Sequence, residues 1–578
     1  YGCTADELNR VKQDLISALE NAVKNAPTRK SAHLSGQLIG SLGRDRVFQS
    51  PSQRLEMLRP WVEQMTTADV HRAFTESWRA DHRLVLVTGN AYPLSGVDDP
   101  EDKILSVYSE SRRVAVSRPE AYREVSFPYL PEPDKPGEIL KRHTIDDMDI
   151  LQVDFKNGVR LNFKRTPFEA NQVQVKVTLE GGRATEPASR SGLAVLSGEV
   201  INESGLGALN KNELERALAG KTVGVGFGLD DDHFIFSGAA VSGETRLLFQ
   251  LLYAHLLDPA FRQTAYQLAM SRFDQQYKEL NQTVDGAMVL SGRRFLAGND
   301  HRFGLPEYER FQQLTLTDIR AWLEPVLKQS PIEVSVVGDV DSETVVRLAA
   351  RYFGSLPSRG AFQTPVRDSI NFPVNKKLPL TVDTKIPKGL LVVAFPTDDI
   401  WNISRTRRLA ILAEIFSDRL RERVREKLGA AYSPFAYNRP SRAYRGYGVF
   451  QAHIQAAPDD LLTIEREVKA IASSMAENGV TDDELKRALE PTLTSIKDLR
   501  RQNRYWLNTV LSGSRAHPQQ IDWSRSIMAD YASITTSEIS ALARKYLVTG
   551  RSATIRISPG DASAITTGSA CGSNAGTG

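Results

Sequence analysis

Two cysteines are all that 578 residues contain, Cys3 near one end and Cys571 near the other. That separation excludes a CxxC metal knuckle and a disulfide framework, and leaves the redox compartment open. One-sided charge is also missing. The formal net charge of +3 is too small to call for nucleic acid or an anionic membrane as a partner. No apolar run approaches the roughly 18 residues that a membrane-spanning helix requires. Histidine is scarce: His33, His71, His82, His143, His233, His255, His301, His453 and His517 are the nine. None stands three to five residues from another, so no helical pair of imidazole ligands exists. His255, in "HLLDP", has an aspartate three residues on but lies in an amphipathic apolar helix, and reads as a packing or surface residue. No basic-then-apolar leader opens the chain either. Tyr1 is followed at once by helix chemistry in "GCTADELNRVKQDL". The expectation is a chain entered partway through a domain, with a targeting peptide and a first catalytic domain upstream.

What is present is a folded composition, 41% hydrophobic and 25% charged, and internal repetition. "MTTADV", "LTLTDI" and "ITTSEI" occur at 65–70, 314–319 and 534–539. In each, a threonine (Thr66, Thr315, Thr535) stands three residues before an acid (Asp69, Asp318, Glu538), the spacing of a capping box. Met65, Leu314 and Ile534 precede the caps, and Val70, Ile319 and Ile539 follow, as hydrophobic staples would. A β-rich run ending in glycine comes after each helix: "LVLVTG" to Gly89, "EVSVVG" to Gly338 and "ATIRISPG" to Gly560. "GCTADELNRVKQDL" and "GVTDDELKRALEPTL" also correspond, with capping boxes at Thr4/Glu7 and Thr481/Glu484. The same elements recur in the same order, which marks homologous α/β modules.

A full module is legible in the later copies. "LQVDFKNGVRLNF" at 151–163 predicts a hairpin, with Asn157-Gly158 suited to a type I′ turn. "QVQVKVTL" alternates with period two, as a half-buried strand does. "GLLVVAFP" at 389–396 opens the last module, and a helix from about 459 to 478 aligns Leu461, Ile464, Val468, Ile471 and Met475 on one face. The fold class expected is α+β, repeated modules of largely antiparallel sheet with helices packed on one face. The organisation expected is half a module at 1–91, a proline-rich linker at 92–142 that cannot hold a long helix, a full module at 143–353, a linker at 354–380, a last module at 381–560 and a disordered tail at 561–578.

Two segments invite other readings. "GVGFG" at 224–228 lacks the spacing of a phosphate loop and runs into "LDDDHFIF" rather than a helix, so it reads as strand glycines allowing close backbone approach. "SRTRRLAILAEIFSDRLRERVREK" is long, basic and amphipathic. Glu414, Asp418, Glu422 and Glu426 interleave with its arginines, which points to pairing within the helix rather than to nucleic acid.

With "EGGRATEPASRSGLAVLSGEV", "NELERAL", "SDRLRERVREKLGAAYSPFAY" and "RQNRYWLNTVL", the chain resembles the insulinase/pitrilysin family of zinc peptidases, in a bacterial branch with full-length chains. The resemblance covers nearly everything but the tail. It implies four homologous modules, the first carrying H-x-x-E-H, whose two imidazoles bind zinc and whose glutamate activates water. Aligned on Gly192-Leu193-Ala194, the histidine positions of this chain hold Val195 and Glu199, and the glutamate position holds Gly198. The helix therefore lacks the zinc ligands, as third modules of the family commonly do. The resemblance further implies an arginine and a tyrosine seven residues apart in the last module, which contact substrate backbone and the developing oxyanion. Here that spacing maps to Arg425 and Tyr432; Arg423, nine residues from Tyr432, fits less well.

The implied function is the C-terminal part of a zinc endopeptidase, with zinc held by the full-length protein and none by this chain. The substrate would be a peptide or unfolded polypeptide, and the zinc module would lie upstream in cis or on a partner subunit in trans. No nucleic acid and no membrane span are expected, and a periplasmic location is favoured. The other reading is a non-catalytic scaffold subunit of a two-chain peptidase.

Overall fold

The computed structural model describes residues 1–78, 83–88, 99–117, 125–360, 369–427, 429 and 433–560. Tyr432, His82, Cys571 and the tail at 561–578 lie outside these. The chain divides into two compact units, Tyr1–Phe127 with Asn212–Thr222, and Pro128–Lys211 with Val223–Gly578.

The first unit is helical in its described residues: α1 (Ala5–Lys24), α2 (Ser31–Leu42), α3 (Pro51–Gln64), α4 (Thr67–Ser77) and α5 (Pro100–Ser111). Helices α1 and α3 pack against each other, and Leu8, Leu19 and Val62 are the apolar residues buried on them. Thr4 and Thr66 form the expected capping boxes. Two expectations differ here. Residues 84–87 of "LVLVTG" are irregular and Leu84 and Leu86 are exposed, because no strand among the described residues of this unit pairs with them, and a lone strand has no ladder to stabilise it. Within the proline-rich 92–142 stretch lies the 12-residue α5. Its Pro100 sits in the first turn, where the missing N–H costs nothing.

The second unit holds two sheets. Seven strands, β1 (Ile139–Ile145), β2 (Ile150–Phe155), β3 (Arg160–Arg165), β4 (Gln172–Glu180), β5 (Val223–Leu229), β6 (His233–Val241) and β7 (Ile332–Gly338), run in the order β1-β2-β3-β7-β4-β6-β5. Five more, β8 (Lys377–Val382), β9 (Gly389–Thr397), β10 (Phe435–Pro440), β11 (Gly448–Ala456) and β12 (Ala553–Pro559), run β10-β11-β9-β12-β8. Read from β5 inward, the first sheet repeats the order of the second. Each has one parallel pair, β3 with β7 and β8 with β12, so the sheets copy one module and the first adds β1 and β2. Strand β8 begins at Lys377, inside the 354–380 stretch.

Helices cover one face of each sheet. Leu391, Val393 and Phe395 of β9 share a core with Leu461, Ile464, Val468, Ile471 and Met475 of the helix Leu461–Asn478, all five on the face expected. Capping boxes at Thr315, Thr481 and Thr535 are all formed. The staple residues Leu314, Ile319, Ile534 and Ile539 are buried.

The opposite faces are covered reciprocally. "VLSG" occurs at 289–292 and again at 510–513, each beside a stretch of π-helix. Around the first copy, Val284, Ala287 and Met288 pack on Leu390, Val392 and Ile555 of the second sheet. Around the second, Trp506, Val510 and Leu511 pack on Ile150 and Val337 of the first sheet. Each module thus lends a segment to the other's sheet. Buried Glu333 of β7 fastens one of them, accepting from Gly513 N–H at 2.9 Å, Arg515 N–H at 2.9 Å and Asn162 Nδ2 at 2.8 Å.

Three local expectations are corrected. The Phe155–Val159 turn is not type I′, which needs positive φ at both Asn157 and Gly158. Only Gly158 has it, at φ 88°. Gly158 N–H donates to Phe155 O at 3.0 Å and Phe155 N–H to Val159 O at 2.9 Å, the three-residue loop with a bulge at glycine. The glycines of "GVGFG" do form a strand, β5, but not for close approach: a Cβ at Gly224 or Gly228 would meet nothing within 4 Å. The basic helix Ile403–Leu420 pairs mostly outward. Arg407 and Arg408 bond Asp530 at 2.8 Å each, Arg408 also bonds Glu538 at 3.0 Å, and Arg419 bonds Glu484 at 2.7 Å. The helix is buried between others, so its cations meet the acids of neighbouring helices.

Candidate functional site

The helix that aligns with a zinc helix is α6 (Leu193–Ser204). Gly192, at φ 93°, turns the chain into it, and Glu186 caps it from outside, its Oε1 accepting Ala194 N–H at 2.7 Å. Burial outweighs the capping N–H groups and pushes the Glu186 carboxyl up to about 7. Of the three aligned positions, Val195 is half-buried, Gly198 has no side chain and Glu199 is exposed, 3.6 Å from Arg272. A hydrocarbon, a hydrogen and an ion-paired carboxylate do not make a zinc site. Buried His255 bonds Leu251 O at 2.8 Å and tilts against Phe236, in keeping with its packing role.

One group with metal-ligand chemistry does converge, and the sequence search passed over it. Asp230, Asp232 and His233 place ligand atoms within 4.8 Å of one another. They sit at the β5–β6 hairpin, whose carbonyls are clamped by the N–H groups of Gly181, Arg183 and Ala184 at 2.8–2.9 Å. Gly182 is required there: at φ 58°, a Cβ would lie 2.5 Å from His233 N. His233 Nδ1 is 2.8 Å from Asp232 Oδ1, and Arg442 Nε is 3.5 Å from Asp232 Oδ2. Burial opposes a charged imidazole, but the hydrogen bonds and charges of Asp230 and Asp232 overcome it and lift His233 to about 9. A protonated imidazole beside a guanidinium makes this an ion-paired corner.

That corner has a pH signature. The folded pKa of His233 lies above its ordinary value of 6.5. Its pairing therefore stabilises fully below pH 6.5, and the contribution is lost as pH rises to about 9, on the order of 3 kcal/mol in all. The urea midpoint is expected to fall between pH 6.5 and 9.5 in the native chain and to stay nearer level in His233→Gln. Equal slopes in both would remove the pair from the account.

Two cavities open on the face of the second sheet turned away from its helices. The first, about 760 Å³, is lined by Arg425, Lys388, Gly429, Phe435 and His453 among others. Arg425 is exposed, in the π-helical turns Arg421–Lys427, and Gly429 at φ 63° follows as a left-handed cap, its N–H on Arg425 O at 3.1 Å. Tyr432 lies outside the described residues, so the spacing to Arg425 stays an expectation. Arg423 points elsewhere, to Glu467 at 3.3 Å. Strand β10, beginning at Phe435, is the edge of its sheet among the described residues, and at Ala436 its outward backbone groups are taken by Ser417 Oγ, which accepts the N–H at 2.8 Å and donates to the carbonyl at 3.2 Å.

The second cavity, about 560 Å³, shares Asp285 and His453 with the first. Its walls include Val195 of α6, the aromatic rings of Phe303, Tyr437 and Tyr447, and the arginines Arg183, Arg293 and Arg439. Sequence reasoning missed these arginines. They come from three remote segments, and no local spacing joins them.

The second unit is thus two consecutive α+β modules of one architecture, and the helix Leu193–Ser204 carries no set of zinc ligands. The description "Peptidase M16 inactive domain" matches residues 313–491. The match covers about a third of the chain, and over that stretch the chain is similar to the inactive, C-terminal domain of M16, insulinase-type, peptidases. It is 21% identical over 407 residues to the probable zinc protease PqqL of Haemophilus influenzae, covering 70% of this chain and 43% of that protein. The crystal structure of the periplasmic protease PqqL from Escherichia coli shares the fold with TM-score 0.67 at 17% identity, over 97% of this chain and 62% of that one. The peptidase M16 inactive domain from Pseudomonas fluorescens matches with TM-score 0.63 at 16% identity, over 72% of this chain and 99% of that one. The chain thus spans roughly half the length of its first relatives. Among the described residues, no helix is long and apolar enough to cross a membrane.

Proposed function

We propose that this chain is the C-terminal part of a zinc endopeptidase, forming the wall that encloses a polypeptide substrate whose zinc site lies on an upstream module. The observation that carries the reading is the pairing of a helix without zinc ligands, at the position of a zinc helix, with an exposed Arg425 lining a cavity beside the edge strand β10. An extended peptide held through its main chain is bound with little sequence demand. The Arg425 guanidinium presents a planar fork of donors, and Tyr432 adds a directed phenol donor. Donors of this kind act where negative charge develops on the carbonyl oxygen under attack. Zinc, held elsewhere, would polarise that carbonyl and supply the attacking water; this chain's residues orient the peptide and share the charge. The location proposed is the periplasm, where the Escherichia coli relative is found.

The second reading, a scaffold subunit acting in trans, is favoured by the Pseudomonas fluorescens structure, a chain of inactive-domain type that this one covers almost completely. Adding this chain to a zinc-bearing H-x-x-E-H module and following cleavage of an unstructured peptide tests both. Stimulation is expected in either case, and it survives as a stable two-chain complex at micromolar concentration only for the scaffold. No stimulation, with the module joined covalently or not, contradicts both.

A further inference from the structure

Next to α6, the second cavity carries cationic side chains that lack a close salt-bridge partner, although the charges of Arg183 and Arg439 act on the buried Asp231. Five arginines line it. Two are compensated: Arg302 is held by Asp300 at 2.6 and 2.9 Å, and Arg442 faces Asp232. For Arg183, Arg293 and Arg439, no carboxylate lies within ion-pair distance among the described residues. The Arg183 Nε is buried with no acceptor. Asp231 and Asp285 are the acids on the wall, and Asp285 accepts from the Gln455 amide at 2.9 Å. The three guanidiniums therefore leave at least one positive charge in excess. Burial, together with the charges of Arg439 and Arg183, pulls Arg293 below the usual arginine range, as expected when like charges crowd one space.

Such crowding costs stability when no ligand relieves it, because an unpaired polar group out of water loses its hydration. Guanidinium forks match the oxygens of carboxylates and phosphates. The other walls are mixed: Phe303, Tyr437, Tyr447, Met288 and Leu296 give aromatic and apolar surface, and Gln276 and Gln451 add polar groups. A volume of about 560 Å³ falls in the range of small-molecule sites.

We propose that this cavity, built between α6 and the face of the second sheet around Arg183, Arg293 and Arg439, is a binding site for an oxyanion, a carboxylate or phosphate, carried on a compact apolar body. Where the family resemblance would place a divalent cation, this module holds an anion instead. The site uses Val195 as wall rather than ligand, and it stands whether or not Arg425 serves a distant zinc. The ligand chemistry has two sources, the free C-terminal carboxylate of a peptide with an apolar last residue, or a free small anion.

Isothermal titration of the whole 578-residue chain separates them. The probes are a tetrapeptide ending in phenylalanine with a free carboxylate, its C-terminal amide, and inorganic phosphate. Binding of the acid at least tenfold tighter than the amide assigns the site to a peptide end; phosphate binding as tightly as the acid assigns it to a free oxyanion. Both support the site if Arg293→Gln/Arg439→Gln weakens the anion at least tenfold while the exposed control Arg466→Gln leaves it unchanged. Circular dichroism and a urea midpoint no lower than the native one show that the double variant folds; should it not, Arg439→Lys, which keeps the charge but loses the fork, is expected to weaken the anion severalfold. Absence of binding by all three probes, or binding that the folded arginine variants do not alter, overturns the proposal.

Discussion

Arg425→Ala is expected to slow peptide cleavage by the zinc-bearing assembly on the order of 100-fold or more, the usual consequence of deleting a donor to a developing oxyanion. Tyr432→Phe, which removes one hydroxyl, is expected to act in the same direction. The loss should fall on kcat, since the charge these groups meet exists only in the transition state. Zinc content should be unchanged, because neither side chain is asked to hold metal. Arg423→Ala is the internal comparison. Its guanidinium faces Glu467 rather than the cavity, so it should leave turnover within about twofold. Equal turnover of native and Arg425→Ala assemblies would remove Arg425 from the site. A loss confined to KM would make it a binding residue only.

The second large effect concerns the exchange of segments between modules. Glu333→Ala is expected to destabilise the second unit by roughly 3–5 kcal/mol, since it strands the Gly513 and Arg515 amides and the Asn162 side chain in a buried space. Glu333→Gln keeps one acceptor and should lose less. The lesion is local in origin: amide exchange at Gly513 and Arg515 should accelerate before that of β9 or β11. A urea midpoint within error of native for Glu333→Ala would mean that the apolar contacts of Trp506, Val510 and Leu511 hold the segment without it.

Legibility in the sequence followed the range of the interaction. Capping boxes at Thr315, Thr481 and Thr535 are three residues long and were read correctly, as was the buried stripe from Leu461 to Met475. The helix Leu193–Ser204 was legible because the turn at Gly192 and the apolar positions that follow it are local. Pairing across helices was not. Arg407 and Arg408 look satisfied by neighbours in their own helix, yet their partners Asp530 and Glu538 lie more than a hundred residues on. The hairpin at Asn157-Gly158 was placed correctly but given the wrong turn, since Asn-Gly also suits a glycine bulge. The arginine cavity has no sequence signature, because Arg183, Arg293 and Arg439 meet only through the packing of one module on the other. The covering of each sheet by the other's "VLSG" segment explains that packing.

The most direct test is the metal content of the isolated 578-residue chain, measured by mass spectrometry after dialysis against zinc, beside its proteolysis of an unstructured peptide with and without chelator. The account predicts far less than one zinc per chain and no chelator-sensitive cleavage, with activity appearing only when an H-x-x-E-H module is supplied. One tightly held zinc per chain together with chelator-sensitive cleavage by the chain alone would contradict it.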